Sequence, residues 1–124
     1  MHSPINERFG IQTEDQPDGS VALWIETDAS LKNEIGLVHG GVTMLLLDGA
    51  MGRAAGRTLA PGEVCATVQF STQFLAPAQG RIRALGRVVQ RGRSTAFVEG
   101  ECRRADGTLV ARAHGTWVVR PARA

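Results

Sequence analysis

The sequence contains no tyrosine, a single lysine and only two cysteines among its 124 residues. Cys65 and Cys102 are far apart and form no CxxC motif, which argues against a disulfide framework and a cysteine-based zinc site. Both lie in apolar, strand-like segments, so we expect buried thiols. The formal net charge is only +2. Without a basic stripe interleaved with aromatic residues, this charge does not indicate a nucleic-acid-binding protein.

Segments that would direct the chain into or across a membrane are also lacking. The N-terminus, MHSPINERFG, has no basic stretch followed by an apolar one, and no apolar run approaches the length of a membrane span. We therefore expect a cytoplasmic protein with no membrane partner. The length suits one domain over residues 1–124. His and acidic residues at zinc spacing are lacking, so no metal site is predicted.

Alternating apolar and polar residues predict six β-strands. The first two, at 7–14 and 19–27, are joined by a turn at Pro17-Asp18-Gly19. Four longer strands follow, at 64–75, 81–90, 94–104 and 108–119. Short turns between these four strands predict an antiparallel meander. In the strand at 64–75, one face is predicted to carry Val64, Ala66, Val68 and Phe70, and the other Cys65, Thr67, Gln69 and Ser71.

The hydrophobic period changes between residues 40 and 57, which read GGVTMLLLDGAMGRAAGR. Four consecutive apolar residues, 44–47, cover every face of a helix, which predicts a buried rather than an amphipathic helix. Glycines 49, 52 and 56 would let other elements approach it closely. The predicted fold class is therefore α+β, with one long central helix wrapped by a curved antiparallel sheet of five to six strands.

Asp48 interrupts this apolar helix. Because the burial of an unpaired carboxylate is costly, Asp48 either reaches solvent through a cleft or is held by partners for a purpose. The alternative without a function is a solvent-facing helix residue. The apolar residues on every side of Asp48 favour a functional carboxylate.

The triplet His39-Gly40-Gly41 begins the same helix. Two glycines let a ligand approach the backbone, and the free N–H groups of a first helical turn point outward where the helix dipole favours negative charge. This pattern is suited to an oxyanion site for a carbonyl oxygen. His39 would either orient a substrate or cap the turn.

The spacing of His39 and Asp48 constrains how they could act. Nine residues on a straight helix separate them by ~13 Å along the axis and place them roughly on opposite sides. They cannot act on one substrate within one helix. If both are catalytic, the helix start of one subunit must meet Asp48 of another, so the spacing predicts at least a homodimer with shared sites.

The segment NEIGLVHGGVTMLLLDGAMG (33–52) resembles the motif of the PaaI-like branch of hotdog-fold thioesterases, named after phenylacetic acid degradation. That motif has an Asn, an HGG triplet six residues later and an acidic residue nine positions beyond the His. Asn33, His39 and Asp48 match it. The likeness continues through VQFSTQFLAPA (68–78) and GRSTAFVEGE (92–101), and it covers nearly the whole chain from residue 8 to 119. The combined spacing is far more specific than HGG alone.

The resemblance implies a hotdog fold and hydrolysis of an acyl-CoA, with no cofactor, by a homodimer or homotetramer whose sites lie at the subunit interface. Asp48 would be the nucleophile or the general base that activates water. The Gly41 N–H, with Gly40 nearby, would polarise the thioester carbonyl. His39 and Asn33 would position the thioester end of the substrate.

Two further elements are implied by the resemblance. Thr67 falls where related enzymes have a Ser or Thr near the attacking water. The residues of one turn match the turn that in this family often lies beside the CoA phosphates, and they are Arg91, Gly92, Arg93 and Ser94. A solvated hairpin is the alternative interpretation of this turn.

Two other functions stay open at this point. A hotdog hydratase or dehydratase also acts on acyl thioesters, but it needs a His and an acid at one site. A non-catalytic acyl-CoA sensor would lack the acid or carry a DNA-binding extension. The HGG triplet and the retained Asp48 favour the thioesterase. The resemblance mildly favours an aryl or short-to-medium acyl group.

Overall fold

A computed structural model describes residues 3–123. The chain forms helix α1 (Pro4–Phe9), strands β1 (Gln12–Asp15) and β2 (Val21–Glu26), helix α2 (Gly40–Gly56), and then strands β3 (Glu63–Phe74), β4 (Arg81–Arg91), β5 (Thr95–Arg104) and β6 (Leu109–Pro121). A short 3-10 helix, Ala29–Leu31, lies in the loop before α2. The six strands and the long helix predicted from the sequence are confirmed.

All six strands form one antiparallel sheet in the order β1-β2-β4-β5-β6-β3. Strands β4, β5 and β6 form the predicted meander. The prediction is wrong for β3, which pairs with β6 rather than with β4. Residues 75–80 are long enough to cross the ~14 Å of two intervening strands to β4. Strands β1 and β3 are therefore the edges of the sheet.

Helix α2 packs on one face of this sheet. Its buried residues are Val42, Thr43, Leu46, Leu47, Ala50, Met51, Ala54 and Ala55. The approach is close because β4 has a glycine at the crossing point: a Cβ on Gly86 would lie 2.5 Å from the carbonyl oxygen of Ala50. A Cβ on Gly49 would lie 2.5 Å from Cδ2 of Leu23. A larger residue at position 86 would clash with the backbone of α2, whereas one at position 49 would require the Leu23 side chain to shift.

The prediction of a helix buried on all sides is wrong for the face of α2 that turns away from the sheet. Leu45 and Asp48 on this face are only partly covered. A single sheet covers a single side of a helix, so one chain leaves this face open. Asp48 is therefore accessible from outside on this face of the chain.

The N-terminal end of the first predicted strand is also wrong, because residues 7–9 belong to α1. Ser3 is the N-cap, and its side chain accepts a hydrogen bond from the Asn6 N–H. Pro4 is the first helical residue, where its missing N–H costs nothing. Gly10 ends the helix with φ 68°, a conformation that glycine adopts without strain.

A β-bulge in β3 overturns the predicted alternation of its side chains. Thr67 pairs with Trp117 and Gln69 pairs with Thr116, which leaves Val68 as an extra residue. One extra residue reverses the faces of everything beyond it. As a result Thr67 and Phe70 both face the helix side, where the Phe70 ring stacks on Trp117 at 6.1 Å. Val68 is 60% exposed.

Candidate active site

Asp48 lies on the partly covered face of α2, and its closest partner is a strand residue. The hydroxyl of Thr67 donates a hydrogen bond of 2.8 Å to Oδ1 of Asp48. The bulge at Val68 follows directly after Thr67 and leaves its side chain on the helix side. Within residues 3–123, Oδ2 of Asp48 accepts no hydrogen bond and no cation pairs with this carboxylate. One carboxylate oxygen is thus fixed and the other is available.

Asp48 lines an open cleft of about 750 Å³ between α2, α1 and the first residues of β3. Most of its walls are apolar side chains, from Ile5, Leu23, Leu45, Leu59 and Val64. The helix contributes Gly49, Gly52 and Gly56, which leave room because they have no side chains. The cleft therefore offers an apolar channel beside a carboxylate.

The other charged groups at the cleft are already paired. Arg53 donates to Asp15 at 2.8 Å, and Arg57 donates to the carbonyls of Gln16 and Ser20 at 2.7 and 3.0 Å. Glu63 forms an ion pair with an arginine of β4 at 3.2 Å. Within the described residues, Asp48 is therefore the charged side chain of the cleft that remains without an ionic partner.

The first amides of α2 differ in their hydrogen bonding within the described residues. The Gly41 N–H donates to Nδ1 of His39 at 2.8 Å, and the Val42 N–H donates to the His39 carbonyl at 2.9 Å. His39 is the N-cap of α2, as the capping interpretation of this residue expected. In the described part of the chain the Gly40 N–H has no acceptor. The amide available to a ligand is thus that of Gly40, whereas that of Gly41 is already bonded.

Asn33 is placed beside this amide. Its Oδ1 accepts hydrogen bonds of 3.1 Å from the N–H groups of Ile35 and Leu37, which fixes the loop before the helix. Asn33 and Gly40 line the same small hollow, of about 240 Å³, together with Phe74. The amide nitrogen of Asn33 stays without a partner among residues 3–123.

The structure thus brings the predicted site residues together in two separate groups. Asn33, His39 and Gly40 lie at the start of α2, and Thr67 lies with Asp48. Eight residues of helix between Gly40 and Asp48 correspond to ~12 Å along the axis. One chain therefore keeps the two halves of the predicted site apart: the residues at the start of α2, and Asp48 with Thr67.

The two arginines of the turn after β4 differ in their contacts. Arg91 donates to Thr58 at 2.9 Å, forms the ion pair with Glu63 and bonds the carbonyl of Gly92, and only 24% of its side chain is exposed. Arg91 therefore links three segments of the chain, and its guanidinium has few N–H donors available for a phosphate. Arg93 and Ser94 are exposed, and their side chains contact no partner in the described residues. These two remain the candidates for a phosphate contact.

The two thiols are poor nucleophiles in this environment. Burial raises the pKa of Cys102 to about 12. Cys65 lines the Asp48 cleft, and burial raises its pKa also, with a smaller opposing effect of Arg91. Cys102 is buried as expected, whereas Cys65 is only partly so. A thiolate is therefore disfavoured at the cleft, and the carboxylate stays the candidate group.

Helix α1 is the part of the site that the sequence prediction missed. Ser3, Ile5 and Asn6 line the same cleft as Asp48. The signals for this helix are in the sequence: a Ser cap, a Pro at the first helical position and a Gly just past the end. The apolar and polar alternation of residues 7–14 is the competing signal, and it favours a strand.

Neither a metal nor a membrane helix is suggested by the described residues. Among residues 3–123, no group of three or more His, Cys, Asp or Glu is placed to hold a metal ion. In the same range, no helix is both long enough and apolar enough to cross a membrane.

Comparison with known proteins identifies the family. Residues 35–111 match the family described as Thioesterase superfamily. A Halobacterium salinarum protein whose name places it among the esterases is 34% identical over 97 residues, which cover 73% of this chain and 64% of that protein. The match thus spans less than two thirds of this relative.

Two solved structures are similar over almost the whole chain. A phenylacetic acid degradation-related protein from Ralstonia eutropha JMP134 is 30% identical, with a TM-score of 0.86, and the match covers 95% of this chain and 92% of that one. The BH2602 protein from Bacillus halodurans, solved with CoA, is 28% identical, with a TM-score of 0.90, and the match covers 98% and 82%. The chain therefore belongs to the thioesterase superfamily and has its hotdog fold.

Proposed function

We propose that this protein is an acyl-CoA thioesterase of the PaaI-like branch, which hydrolyses its substrate to a free acid and CoA. The observation that supports the proposal most directly is the Asp48–Thr67 pair. Within the described residues this carboxylate has no cationic partner, one of its oxygens accepts a hydrogen bond of 2.8 Å from a hydroxyl, and the residue lines an apolar cleft. Such a carboxylate suits attack on a thioester.

The chemistry needs few groups because a thioester is already a reactive acyl donor. Either Oδ2 of Asp48 takes a proton from water that attacks the carbonyl carbon, or it attacks that carbon itself and water then hydrolyses the anhydride. In both cases the C–S bond breaks and the CoA sulfur receives a proton. No cofactor is required. The carbonyl oxygen becomes negative during the attack, and the free Gly40 N–H at the positive end of α2 would stabilise it.

The CoA end of the substrate is assigned to Arg93 and Ser94. Both are exposed and unpaired within residues 3–123, and arginine binds phosphate through charge-assisted hydrogen bonds. CoA as the leaving group is also consistent with the Bacillus halodurans structure, which was solved with CoA. The acyl group would enter the cleft beside Asp48.

A second copy of the chain would complete the site. The Gly40 and Asp48 halves are ~12 Å apart on one helix, too far to hold one carbonyl group. Edge strand β3 and the residue after it expose apolar side chains, with Val68 at 60%, Phe74 at 52% and Leu75 at 54%. An unpaired edge with exposed apolar side chains is suited to pairing with another chain. A homodimer or homotetramer would place Gly40 of one copy near Asp48 of the next.

A complementation experiment tests activity and assembly together. Asp48→Asn removes the carboxylate, and Gly40→Pro removes the free N–H. Each variant alone should be inactive toward acyl-CoA. In an equal mixture allowed to exchange subunits, half of the dimers contain both chains and one of their two sites is intact, so activity should recover to about a quarter of wild type. If the mixture stays inactive although exchange is shown, the shared site is rejected. If wild type hydrolyses no acyl-CoA, the proposed activity is rejected.

A further inference from the structure

We propose that the face of the sheet opposite helix α2 carries a second binding site, for the diphosphate group of a small molecule, with Arg83 and Arg103 as its principal contacts. The proposal goes beyond the thioesterase function and does not depend on it, because α2 and Asp48 lie on the other face of the sheet. Three observations support it: two arginines that oppose each other, the hollow around them and the positive charge that the nearby carboxylates leave unbalanced.

Strand β4 divides its side chains between the two faces of the sheet. Ile82 and Ala84 are fully buried, and Gly86 of the same face meets the backbone of α2. Arg81 and Arg83 alternate with them and are exposed. These two arginines therefore lie on the outer face, away from the helix and the candidate active site.

Arg83 lies directly opposite Arg103 of β5. Side chains directly opposite in an antiparallel pair have Cβ atoms about 5 Å apart, and like charges at this distance destabilise the sheet. Arg103 donates to Glu101 at 3.2 Å and to the Gly107 carbonyl at 3.0 Å. The side chain of Arg83 has no hydrogen-bond or ion-pair partner in residues 3–123. An anion between the two guanidinium groups would neutralise their repulsion.

Two further arginines lie at the same hollow, which has a volume of about 280 Å³. Its lining residues are Arg81, Arg83, Leu85, Glu101, Arg103, Arg104 and Ala105. The Arg81 guanidinium lies 4.2 Å from the centre of the Trp24 ring and donates to Glu26 at 2.6 Å. The side chain of Arg104 is only 18% exposed and donates to the Pro77 carbonyl at 3.3 Å. Because both guanidinium groups are already fixed, a ligand would bind them at a lower entropic cost.

The carboxylates around the hollow leave two positive charges unbalanced. Three of them form ion pairs here, and the pairs are Glu26–Arg81, Glu101–Arg103 and Asp106–Arg104. Arg83 has no such partner in the described residues, and neither does Arg112, which lies opposite Glu101 on β6. The surplus of two guanidinium groups matches a ligand with two or more negative charges.

The donor type and its spacing favour a diphosphate over other anions. Guanidinium N–H groups match phosphate oxygens in paired, charge-assisted hydrogen bonds. Arg81 and Arg83 are two residues apart on one strand, which separates their Cα atoms by ~7 Å. A group with two phosphoryl units can contact both positions, whereas a single carboxylate can contact only one. The chemical class is therefore a diphosphate, either as a free anion or as part of a nucleotide or coenzyme.

Calorimetric titration with inorganic pyrophosphate at low ionic strength tests the site. Arg93→Ala is the background, so that the turn assigned to CoA does not contribute. We expect a Kd below about 1 mM. Arg83→Gln should weaken binding by about tenfold, the value of one charge-assisted hydrogen bond, and a further Arg103→Gln should abolish it. Arg120→Gln removes the same charge at the far end of β6 from Arg103 and should change the Kd by less than about twofold.

Thermal melts separate a binding site from a structural cluster. Without ligand, Arg83→Gln should leave Tm unchanged or raise it, because it removes the opposition of like charges. Pyrophosphate should raise the Tm of the parent protein but not that of Arg83→Gln, since only a bound ligand stabilises the fold.

Parallel titrations with ADP and CoA identify the source of the diphosphate. Affinities equal to that of pyrophosphate assign the site to the diphosphate group alone, tighter binding of ADP or CoA assigns it to that molecule, and weaker binding of both assigns it to the free anion. If the Kd for pyrophosphate exceeds about 1 mM, or if Arg83→Gln changes it no more than Arg120→Gln does, the site is rejected.

Discussion

Thr67 and Asp48 lie 19 residues apart in the sequence and are joined by a 2.8 Å hydrogen bond between strand β3 and helix α2. The extra residue Val68 follows Thr67 and allows Thr67 and Phe70 to share the face of the sheet that meets the helix. The hydrogen bond fixes one carboxylate oxygen, and within residues 3–123 the other accepts none. The geometry of the candidate catalytic group is therefore set by the strand as much as by the helix.

Asp48→Asn should reduce kcat for acyl-CoA hydrolysis by at least about 100-fold, the lower end of what a general base contributes. The amide has nearly the same shape as the carboxylate and can still accept from Thr67, but it can neither attack nor take a proton. Circular dichroism and CoA titration should show an unchanged fold and affinity. A variant that keeps more than about a tenth of wild-type kcat, ~1.4 kcal/mol of barrier, would remove Asp48 from the mechanism.

Thr67→Val should lower kcat by about tenfold with little change in KM, because the isosteric side chain keeps the packing but no longer orients the carboxylate. Thr67→Ser is the matched control, since it retains the hydroxyl and should recover most of the rate. Steady-state kinetics of the two variants separate orientation from packing. Equal losses in both would assign Thr67 a packing role only.

Features set by the local order of apolar and polar residues were predictable from the sequence. Features set by pairing with residues far along the chain were not. Helix α2 was predicted within one residue of its observed end, and Cys102 is buried as expected. The bulge at Val68 could not be predicted, because it is defined by its pairing with β6. The pairing of Arg91 with Glu63 and Thr58 was equally hidden, since these partners lie 28 and 33 residues before it in the sequence.

Arg91 and Arg93, two positions apart, should give opposite phenotypes. Arg91→Ala leaves the partly buried Glu63 without its cation and should cost about 1–3 kcal/mol of stability, which lowers Tm by several degrees for a chain of this size. Arg93→Ala should leave Tm within about one degree, since exposed substitutions rarely exceed ~0.5 kcal/mol. It should instead raise KM for acyl-CoA at unchanged kcat, because a phosphate contact contributes uniform binding.

Thermal melts and kinetics at two salt concentrations check both expectations. The KM effect of Arg93→Ala should shrink as salt rises, and it should vanish for thioesters with only the pantetheine arm. An equal effect on both substrate types would mean that Arg93 does not bind the nucleotide phosphates.

Asp106 in the β5–β6 turn should make stability depend on acid pH. Hydrogen bonds from Arg104, and from the Thr108 backbone and hydroxyl, lower the pKa of Asp106 from 3.8 to about 2. Because the folded pKa is the lower one, the unfolded chain binds a proton first as pH falls. The stabilisation is complete above pH ~4 and is lost toward pH ~2. Asp106→Asn should therefore reduce the urea midpoint at pH 6 but converge with wild type as pH falls through this window. Parallel curves would contradict the assignment.

The free amide of Gly40 can be removed with little expected damage to the fold. Gly40 is the first helical residue of α2, a position that proline occupies readily, and its N–H has no acceptor in the described residues. His39 before it has φ −59° and ψ 131°, which is the backbone region that a residue preceding proline prefers. A Cβ at position 40 would meet the Phe74 ring at 3.4 Å, an ordinary contact.

Gly40→Pro should therefore retain the wild-type fold and lose about 100-fold or more in kcat, the cost of deleting one oxyanion-hole donor. Gly40→Ala is its control, because it adds the same Cβ but keeps the N–H, and it should stay within about tenfold of wild type. If the two variants lose the same activity, crowding beside Phe74 explains the effect and the Gly40 amide is not the donor. If Gly40→Pro alone is inactive while its melting curve matches that of Gly40→Ala, the oxyanion donor is this N–H. The Gly41 N–H, bonded to His39, would then not be sufficient for the reaction.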